Sequence, residues 1–273
     1  MAERRCVFID FDGTFAHHGV APREHAEATH RARENGHLIL LCTGRPASIV
    51  APEVAALFDG VVASAGGWIR VGEQLLRDLR FPEELGRRAV EVLQHHDVPF
   101  TLETPDALLC SPRAADELRA RVRPPLPEDG VGGGLQDLID AIDPAEDLAG
   151  ASFAKISLWG SPVRVEQLAA EIGPEVGALP NSITDDVSSG ELHLVSVDKA
   201  DGVQVVAEHL GMDRASTVGI GDGMNDLGML CATGTAFAVA GAPAAVLEAA
   251  GGVSVPGPQQ HGIVTAFERL GML

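Results

Sequence analysis

A short stretch near the start of the chain, residues 6–14, constrains the fold more than any other part of the sequence. The apolar run Cys6-Val7-Phe8-Ile9 leads directly into Asp10-Phe11-Asp12-Gly13-Thr14. An apolar run bounded by a turn signal is typical of a strand covered on both faces, as in a parallel sheet. Because Asp10 and Asp12 are two residues apart, a continuing strand would point both carboxylates to the same side. The stretch predicts a buried strand that ends in two acids and a glycine turn.

Two interpretations of this acid pair have equal weight on the stretch alone. The ordinary one is a strand followed by an Asp-Gly turn that has no chemical role. The other is functional, since neighbouring carboxylates raise each other's pKa unless a cation or separate hydrogen bonds resolve their repulsion. The rest of the chain has to decide between them.

The composition favours a parallel sheet that is covered by helices. The chain has 273 residues, enough for one large domain or two modest ones. Hydrophobic residues make up 45% of the chain, aromatic residues only 4%, and there is no tyrosine. A core that must be aliphatic suits a helix-covered sheet better than an aromatic-rich β-sandwich.

Charge and cysteine usage restrict the partners and the compartment. A formal net charge of -19 argues against nucleic acid and anionic membranes as partners. Small anions can still bind where a metal ion or a helix end creates a local positive field. The four cysteines are far apart and form no CxxC pair. We therefore expect reduced thiols in a cytoplasmic protein, without a zinc site or a disulfide framework.

Two stretches bear on membrane association. The apolar run that begins at Cys6 is too short for a signal peptide and meets Asp10 at once. Residues 227–247 carry no charge, but they are rich in glycine and alanine and contain Pro243. A strand, a turn and a helix inside a soluble core explain this second stretch better than a membrane span.

The order of the predicted elements divides the chain into two domains. Strand and helix patterns alternate up to residue 81 and again from residue 196, which indicates right-handed crossovers and a parallel sheet. Residues 82–195 show a mixed pattern of helices and short strands. We predict an α/β, Rossmann-like core formed by residues 1–81 and 196–273, into which an α+β domain of residues 82–195 is inserted.

Four loops fall at or near the carboxyl ends of predicted strands, the edge where open parallel sheets bind ligands. They are residues 10–14, residues 43–45, the region of Lys199, and residues 222–226. Each has an ordinary interpretation when taken alone: Thr43 as a helix cap, Lys199 as a solvated lysine, and Gly221-Asp222-Gly223 as a turn. Taken together, their order and their residue types favour one site.

At this point the sequence resembles the haloacid dehalogenase (HAD) superfamily, and in particular its Cof-type phosphatases with a large inserted cap of the C2 type. The resemblance rests on Asp10-Phe11-Asp12-Gly13-Thr14, Thr43, Lys199 and Gly221-Asp222-Gly223-Met224-Asn225-Asp226. It covers nearly the whole chain in order and length. The first and last of these motifs are highly specific, whereas the two single residues are placed by context.

The resemblance implies phosphoryl transfer through an aspartyl-phosphate. Asp10 would be the nucleophile, and Asp12 the general acid for the leaving oxygen and then the base for water. Thr43 would hydrogen-bond a phosphoryl oxygen, and Lys199 would place a positive charge on the transferring group. Phosphate contacts are also expected from Thr14, Gly44 and Asn225.

The resemblance also implies a magnesium ion. Attack by a carboxylate on a phosphate requires a cation, and Mg²⁺ prefers oxygen ligands. The ligands would be the carboxylates of Asp10 and Asp222 and the backbone carbonyl of Asp12. Asp226 would orient Lys199 or a water molecule bound to the metal.

The chain departs from the family pattern at two places. Gly66-Gly67 stands where the family often has Asn-Gly, which puts one polar substrate contact in doubt. The motif lysine is followed by Ala200-Asp201-Gly202 rather than directly by glycine, which could shift the start of the helix.

Specificity is expected to lie in the inserted cap, which would close over the phosphate site and exclude water. Candidate contacts to the leaving group are Lys155, Trp159, Arg164 and His193, although packing or surface roles are more common for such residues. His17 and His18, after the nucleophile loop, are best explained as part of a solvated loop.

The sequence thus predicts a Mg²⁺-dependent phosphatase that acts on a small phosphorylated metabolite, with a sugar phosphate as one candidate. Two alternatives remain open. One is a phosphotransferase or phosphomutase that uses the same intermediate with an alcohol as acceptor. The other is a regulatory binding module that has kept the fold and lost turnover, against which the intact Asp10, Asp12, Lys199 and Asp222 argue.

Overall fold

The structure is a computed structural model, and it describes residues 4–122, 129–180 and 188–273. The first part of the chain alternates strands and helices and then forms a hairpin. Its elements are β1 (Cys6–Ile9), α1 (Arg23–Glu34), β2 (Leu38–Cys42), α2 (Pro52–Ala55), β3 (Gly60–Ala63), β4 (Trp68–Val71) and β5 (Gln74–Asp78). The sequence predicted the elements up to β3 but not the β4–β5 hairpin.

The middle of the chain contains the mixed elements that the sequence predicted, together with two strands that it did not. They are α3 (Glu83–His95), β6 (Phe100–Glu103), β7 (Leu108–Cys110), α4 (Pro112–Arg121), α5 (Leu135–Asp140), β8 (Ile142–Pro144), β9 (Lys155–Leu158), α6 (Val165–Ile172), β10 (Val176–Pro180) and β11 (Gly190–Leu194). The unpredicted strands, β8 and β10, are short or glycine-containing and both end in proline, which weakens any strand signal.

The last part of the chain returns to the strand and helix alternation. Its elements are α7 (Lys199–Leu210), β12 (Thr217–Gly221), α8 (Leu227–Ala232), β13 (Thr235–Val239), α9 (Ala244–Ala249), β14 (Ser254–Val255) and α10 (Gly262–Leu270). The uncharged residues 227–247 form α8, β13 and the beginning of α9. Among the helices that the structure describes, none is long and apolar enough to cross a membrane.

The first and last parts of the chain share an eight-stranded sheet in the order β14-β13-β12-β1-β2-β3-β4-β5. Strand β1 lies at its centre and runs parallel to both neighbours, with Ile9 opposite Ile220 on β12 and opposite Leu41 on β2. Only the β3–β4–β5 edge is antiparallel. Because β1, β2 and β12 are in register, the residues that follow them meet at one edge. The predicted α/β fold with a parallel core is confirmed.

Both faces of the central strand are buried, as its apolar sequence predicted. Val7 and Ile9 belong to one apolar cluster, which includes residues of α1 and α10. Cys6 and Phe8 belong to another, which includes residues of α7 and α8. Cys6, Cys42 and Cys110 are buried free thiols, whereas Cys231 is exposed.

The middle of the chain forms a second, six-stranded sheet in the order β10-β11-β9-β6-β7-β8. Strand β9 is antiparallel to both β6 and β11. One face of these strands is apolar, since Leu102, Ile156 and Leu192 are buried in a cluster that also contains residues of α3 and α6. The opposite face carries polar side chains and is turned toward the first sheet, as the contacts described below show.

Candidate active site

The loop that carries Asp10 begins where β1 ends. The amide of Asp10 still donates to Ile220 O at 2.9 Å, so the parallel sheet fixes the backbone at this residue. Asp10 is only 4% exposed. Gly13 has a φ of +85°, and a Cβ at this position would lie 2.5 Å from Asp222 Oδ2. The glycine turn thus allows the loop after β1 to approach the loop after β12.

Lys199 is fully buried and lies between two carboxylates. Its Nζ donates to Asp10 Oδ1 at 2.5 Å and to Asp226 Oδ1 at 2.6 Å. Lys199 is the first residue of α7, and the side chain of Asp198 caps the helix by accepting from the amide of Ala200. The start of the helix is therefore set by an N-cap, and this brings the lysine directly to the sheet edge.

Gly66 and Gly202 stand where the sequence departs from the family pattern, and both allow α7 to pack closely on β3. A Cβ on Gly66, whose φ is +102°, would lie 2.4 Å from Asp198 O. A Cβ on Gly202 would lie 2.5 Å from a methyl group of Val62. Larger residues at either position would push the helix that carries Lys199 away from the sheet.

Asp226 organises the loop after β12. Its Oδ2 accepts from the amides of Asp222 and Gly223, both at 2.9 Å, while its Oδ1 accepts from Lys199. It is completely buried. Because both of its carboxylate oxygens accept hydrogen bonds, Asp226 holds Lys199 and the backbone around Asp222 in fixed positions.

The carboxylates outnumber the ammonium group that they surround. Burial, together with the carboxylates of Asp226 and Asp222, raises the pKa of Asp10, although Lys199 acts in the opposite sense. Burial also raises the pKa of Asp222. Burial would lower the pKa of Lys199, but Asp10 and Asp226 raise it above its usual range. The lysine therefore stays charged, and the cluster retains excess negative charge.

This arrangement suits a divalent cation. Asp10, Asp222 and Asp226 each place a carboxylate oxygen within 4.8 Å of the others. Because both oxygens of Asp226 already accept hydrogen bonds, Asp10 and Asp222 are the carboxylates with ligand capacity to spare. Hard oxygen donors at a site with excess negative charge are what a divalent ion of the Mg²⁺ type requires.

The two predicted threonines are buried at the same edge. The hydroxyl of Thr14 donates to Asp222 Oδ1 at 2.6 Å and so connects the first and last loops. The hydroxyl of Thr43 accepts from the amide of Arg45 at 3.1 Å, so that its own proton can be donated to another acceptor. Both side chains are about 1% exposed. The predicted phosphate contacts of both residues stay predictions.

Asp12 forms an ion pair that the sequence analysis did not predict. Its two oxygens accept from Arg45 Nε at 2.6 Å and Nη2 at 2.7 Å. The guanidinium also lies 4.7 Å from the centroid of the Phe11 ring. Arg45 therefore fixes the direction of the Asp12 carboxylate. The position of Arg45, two residues after Thr43, was the sequence signal for this residue. Its partner could not be predicted, because that depends on how far the arginine side chain reaches.

Asn225 lies between two loops of the site. A Cβ on Gly223 would fall 2.3 Å from its Oδ1, and a Cβ on Gly44 would fall 3.9 Å from its Nδ2. The carboxamide therefore lies close to the loop after β2 as well as to its own loop, and it stays exposed at the surface of the site.

The second sheet contacts the loop after β2. Lys155 Nζ donates to Gly44 O at 2.7 Å, and Ser48 Oγ donates to Thr104 O at 2.9 Å. Lys155 is 4% exposed and forms ion pairs with Glu103 and Glu191. Of the predicted cap candidates, Lys155 therefore lies beside the core loop that carries Thr43.

The structure places the remaining candidates differently. Trp159 is packed in a small apolar cluster with Cys110 and Ile142. Arg164 is an exposed residue that pairs with Glu166. The ring centroids of His17 and His18 lie 4.0 Å apart with the ring planes tilted by 50°, and His17 lines a cavity together with Gly13 and Asp222. His193 lies on β11 opposite Lys155.

Comparison with known proteins agrees with this geometry. Residues 7–267 match the family of haloacid dehalogenase-like hydrolases. "Putative phosphatase YkrA" of Bacillus subtilis (strain 168) is 25% identical over 280 residues, which cover 99% of each chain. The 5-amino-6-(5-phospho-D-ribitylamino)uracil phosphatase YwtE of the same organism is 32% identical over 111 residues, 38% of this chain and 37% of the relative. The structure of the HAD subclass IIB sugar phosphatase BT4131 superposes with a TM-score of 0.77 at 19% identity, covering 98% of this chain and 100% of that one.

The family match and the relatives named as phosphatases identify a hydrolase that acts on phosphoric monoesters. The chain belongs to the haloacid dehalogenase-like hydrolases, of the Cof type. The resemblance inferred from the four motifs is therefore confirmed at the level of the family and of phosphatase activity.

Proposed function

We propose that the protein is a Mg²⁺-dependent phosphatase that hydrolyses a small phosphorylated metabolite through a phosphoaspartate at Asp10. The observation that carries the proposal is the buried carboxylate of Asp10, which is held at one oxygen by Lys199 and lies within 4.8 Å of the Asp222 carboxylate. A carboxylate that is fixed on one oxygen presents the other for attack on phosphorus.

In the first step, a carboxylate oxygen of Asp10 forms a bond to phosphorus while the bond from phosphorus to the leaving oxygen breaks. Asp12 gives a proton to that oxygen, so that an alcohol departs. In the second step, Asp12 takes a proton from water, whose oxygen attacks phosphorus. The bond to Asp10 breaks, which releases inorganic phosphate and restores both aspartates.

The surrounding residues bind the phosphoryl group. Lys199 lies 2.5 Å from Asp10 and would contribute its positive charge next to the reacting oxygen. The Thr43 hydroxyl, which has a proton to donate, would bind a phosphoryl oxygen, assisted by the Gly44 backbone and the Asn225 carboxamide. Thr14 would act mainly through Asp222, to which its hydroxyl already donates.

Asp10, Asp222 and the backbone carbonyl of Asp12 would hold Mg²⁺, with Asp226 as the support of Lys199 and of the loop. When bound, the ion would neutralise the charge between carboxylate and phosphate and orient the phosphate. The excess of carboxylates over ammonium groups in this cluster supports that assignment.

We assign residues 1–81 and 196–273 to the catalytic core and residues 82–195 to a cap that selects the substrate. The two separate sheets support this division, and the hydrogen bonds of Lys155 to Gly44 and of Ser48 to Thr104 support a role of the second sheet at the site. A sugar or sugar-alcohol phosphate is the substrate class that we favour. The name of the relative YwtE describes a substrate whose phosphate lies on a ribityl chain. The net charge of -19 supports the expectation of neither nucleic acid nor membrane as a partner, and the four free cysteines support a cytoplasmic location.

Hydrolysis of p-nitrophenyl phosphate tests the proposal. The purified chain should turn it over with Mg²⁺, lose activity in EDTA, and lose it in the Asp10→Asn variant. Asp116→Asn is the matched control, because Asp116 lies on α4 with its side chain 86% exposed. Turnover by Asp10→Asn at the level of the parent would refute the mechanism.

The same assay separates the two alternatives. Product analysis with added sugar alcohols shows whether the phosphoryl group passes to water or to an alcohol, as a phosphotransferase or phosphomutase requires. A regulatory module without turnover would show no activity in any of these reactions.

A further inference from the structure

One face of the second sheet is polar across its three central strands. Glu103 on β6 and His193 on β11 both lie opposite Lys155 on β9, while Thr101 and Glu191 lie opposite Ser157. Because side chains alternate along a strand, these residues share one face. The other face carries the apolar cluster. A polar face that helices do not cover needs another partner.

That partner is the edge of the core where the phosphate is expected to bind. Lys155 Nζ donates to Gly44 O at 2.7 Å, and Gly44 directly follows Thr43. The side chain of Ser48 reaches Thr104 O on the same side. A leaving group attached to a phosphate at Asp10 and Thr43 would therefore extend toward this polar face.

The positive charge on this face is already paired. The described residues of the three strands include one lysine and no arginine. Lys155 Nζ donates to Glu191 Oε2 at 2.9 Å and lies 3.3 Å from Glu103 Oε2. Burial would lower the pKa of Lys155, but the two carboxylates raise it to about 12, so it remains an ammonium group. Burial lowers the pKa of His193, which is neutral near pH 7.

The same face offers hydrogen-bonding atoms for hydroxyl groups of a leaving group. Glu103 Oε2 is buried and makes no hydrogen bond with any described residue beside its 3.3 Å ion pair with Lys155, and His193 Nδ1 is likewise buried without a hydrogen bond. Glu191 is partly accessible, with 22% of its side chain exposed. Buried polar atoms without a hydrogen bond are uncommon, so these two atoms can each bind a hydroxyl group, which both donates and accepts. A neutral group with several hydroxyls can satisfy these atoms, whereas a carboxylate supplies no donor and meets two carboxylates against one ammonium group.

We propose that this face binds the leaving group, and that Glu103 and Glu191, by pairing with Lys155, select neutral hydroxyl-bearing leaving groups against those that carry a carboxylate or a second phosphate. This assignment rests on the proposed phosphatase function. Specificity then comes from an unfavourable charge for the wrong substrate as much as from hydrogen bonds to the right one.

A matched pair of substrates tests the selection. Glycerol 3-phosphate and 3-phosphoglycerate differ only in a hydroxymethyl group where the second carries a carboxylate. We expect kcat/KM for glycerol 3-phosphate to exceed that for 3-phosphoglycerate by at least about tenfold. An equal or reversed ratio, or failure to cleave either ester while p-nitrophenyl phosphate is turned over, would overturn the selection but leave the phosphatase proposal intact. If p-nitrophenyl phosphate is not cleaved either, the proposed function itself is wrong.

The Glu191→Gln variant tests the residues. It removes one of the two carboxylates that pair with Lys155 and leaves the shape of the side chain unchanged. We expect the ratio of the two kcat/KM values to move toward 3-phosphoglycerate by about tenfold. Glu175→Gln is the matched control, since Glu175 is an exposed residue just before β10, and its ratio should equal that of the parent. A folded Glu191→Gln variant with the parent's ratio would show that Glu191 does not select.

Discussion

Replacement of Lys199 by methionine should destabilise the fold strongly, because the lysine neutralises two buried carboxylates. The Nζ makes hydrogen bonds of 2.5 Å to Asp10 and 2.6 Å to Asp226, with all three side chains at most 6% exposed. Hydrogen bonds to charged groups contribute about 1.5–3 kcal/mol each. Removal of one partner from a buried ion pair costs about 3–5 kcal/mol. We expect Lys199→Met to lower the free energy of unfolding by about 3–5 kcal/mol in the absence of metal.

Urea unfolding in EDTA, followed by circular dichroism, measures this difference. Arg113→Met is the matched control, because the Arg113 side chain is 70% exposed and pairs only with exposed or partly exposed acids. Its effect should stay within about 0.5 kcal/mol. The double variant Lys199→Met/Asp10→Asn should be less destabilised than the sum of its single variants, because the asparagine removes one unpaired charge.

The outcome that would refute this reasoning is a Lys199→Met variant within about 1 kcal/mol of the parent in EDTA, on the scale of a single ordinary hydrogen bond. That result would mean that Asp10 and Asp226 are neutral or solvated in the folded chain. The excess negative charge on which the metal site is inferred would then not exist.

Three further predictions concern His25, the two lysines and Arg45. His25 donates from Nδ1 to Phe15 O and accepts at Nε2 from the amide of Ile263, and burial lowers its pKa from 6.5 to about 4. The free energy of unfolding should therefore fall as the pH drops from 6.5 toward 4, by about 2 kcal/mol at pH 5, and urea unfolding of His25→Asn should not show this loss. Amine-acetylating reagents should leave Lys155 and Lys199 unmodified in the native chain and modify both in urea, as read by peptide mass spectrometry. Arg45→Lys should lower kcat for an alkyl phosphate about tenfold more than kcat for p-nitrophenyl phosphate, because an alkoxide leaving group needs the proton of Asp12 and p-nitrophenolate does not. Equal losses of kcat for the two substrates would contradict the role of Arg45 in positioning Asp12.

That the candidate site residues meet at one sheet edge could be predicted from the sequence, because these residues directly follow buried strands. Asp10 follows β1, Thr43 follows β2 and Asp222 follows β12, and the parallel register brings these strand ends together. No knowledge of side-chain packing is needed for that step. Lys199 was harder to place, since its position depends on an N-cap at Asp198 and on a close approach at Gly66.

Residues whose partners depend on side-chain reach or on docking of the second sheet could not be predicted in the same way. Arg45 finds Asp12 only because its side chain turns back across the loop, over the Phe11 ring. Glu103 and Glu191 look like ordinary strand residues until the register of β6, β9 and β11 places them beside Lys155. The sequence does contain one signal, since Lys155 and Lys199 are its only lysines among 20 basic residues.

The two lysines share an arrangement that supports the proposed need for a metal ion in phosphate binding. Each is buried and bridges two carboxylates, Lys199 between Asp10 and Asp226 and Lys155 between Glu103 and Glu191. Neither ammonium group is therefore an uncompensated positive charge, and Arg45 is engaged by Asp12. A phosphate dianion entering this edge meets more negative than positive charge, and a chain with a net charge of -19 supplies no compensating field. We therefore propose that binding of the phosphate requires a divalent cation at Asp10 and Asp222, and we expect phosphate affinity, as well as turnover, to be lost in EDTA.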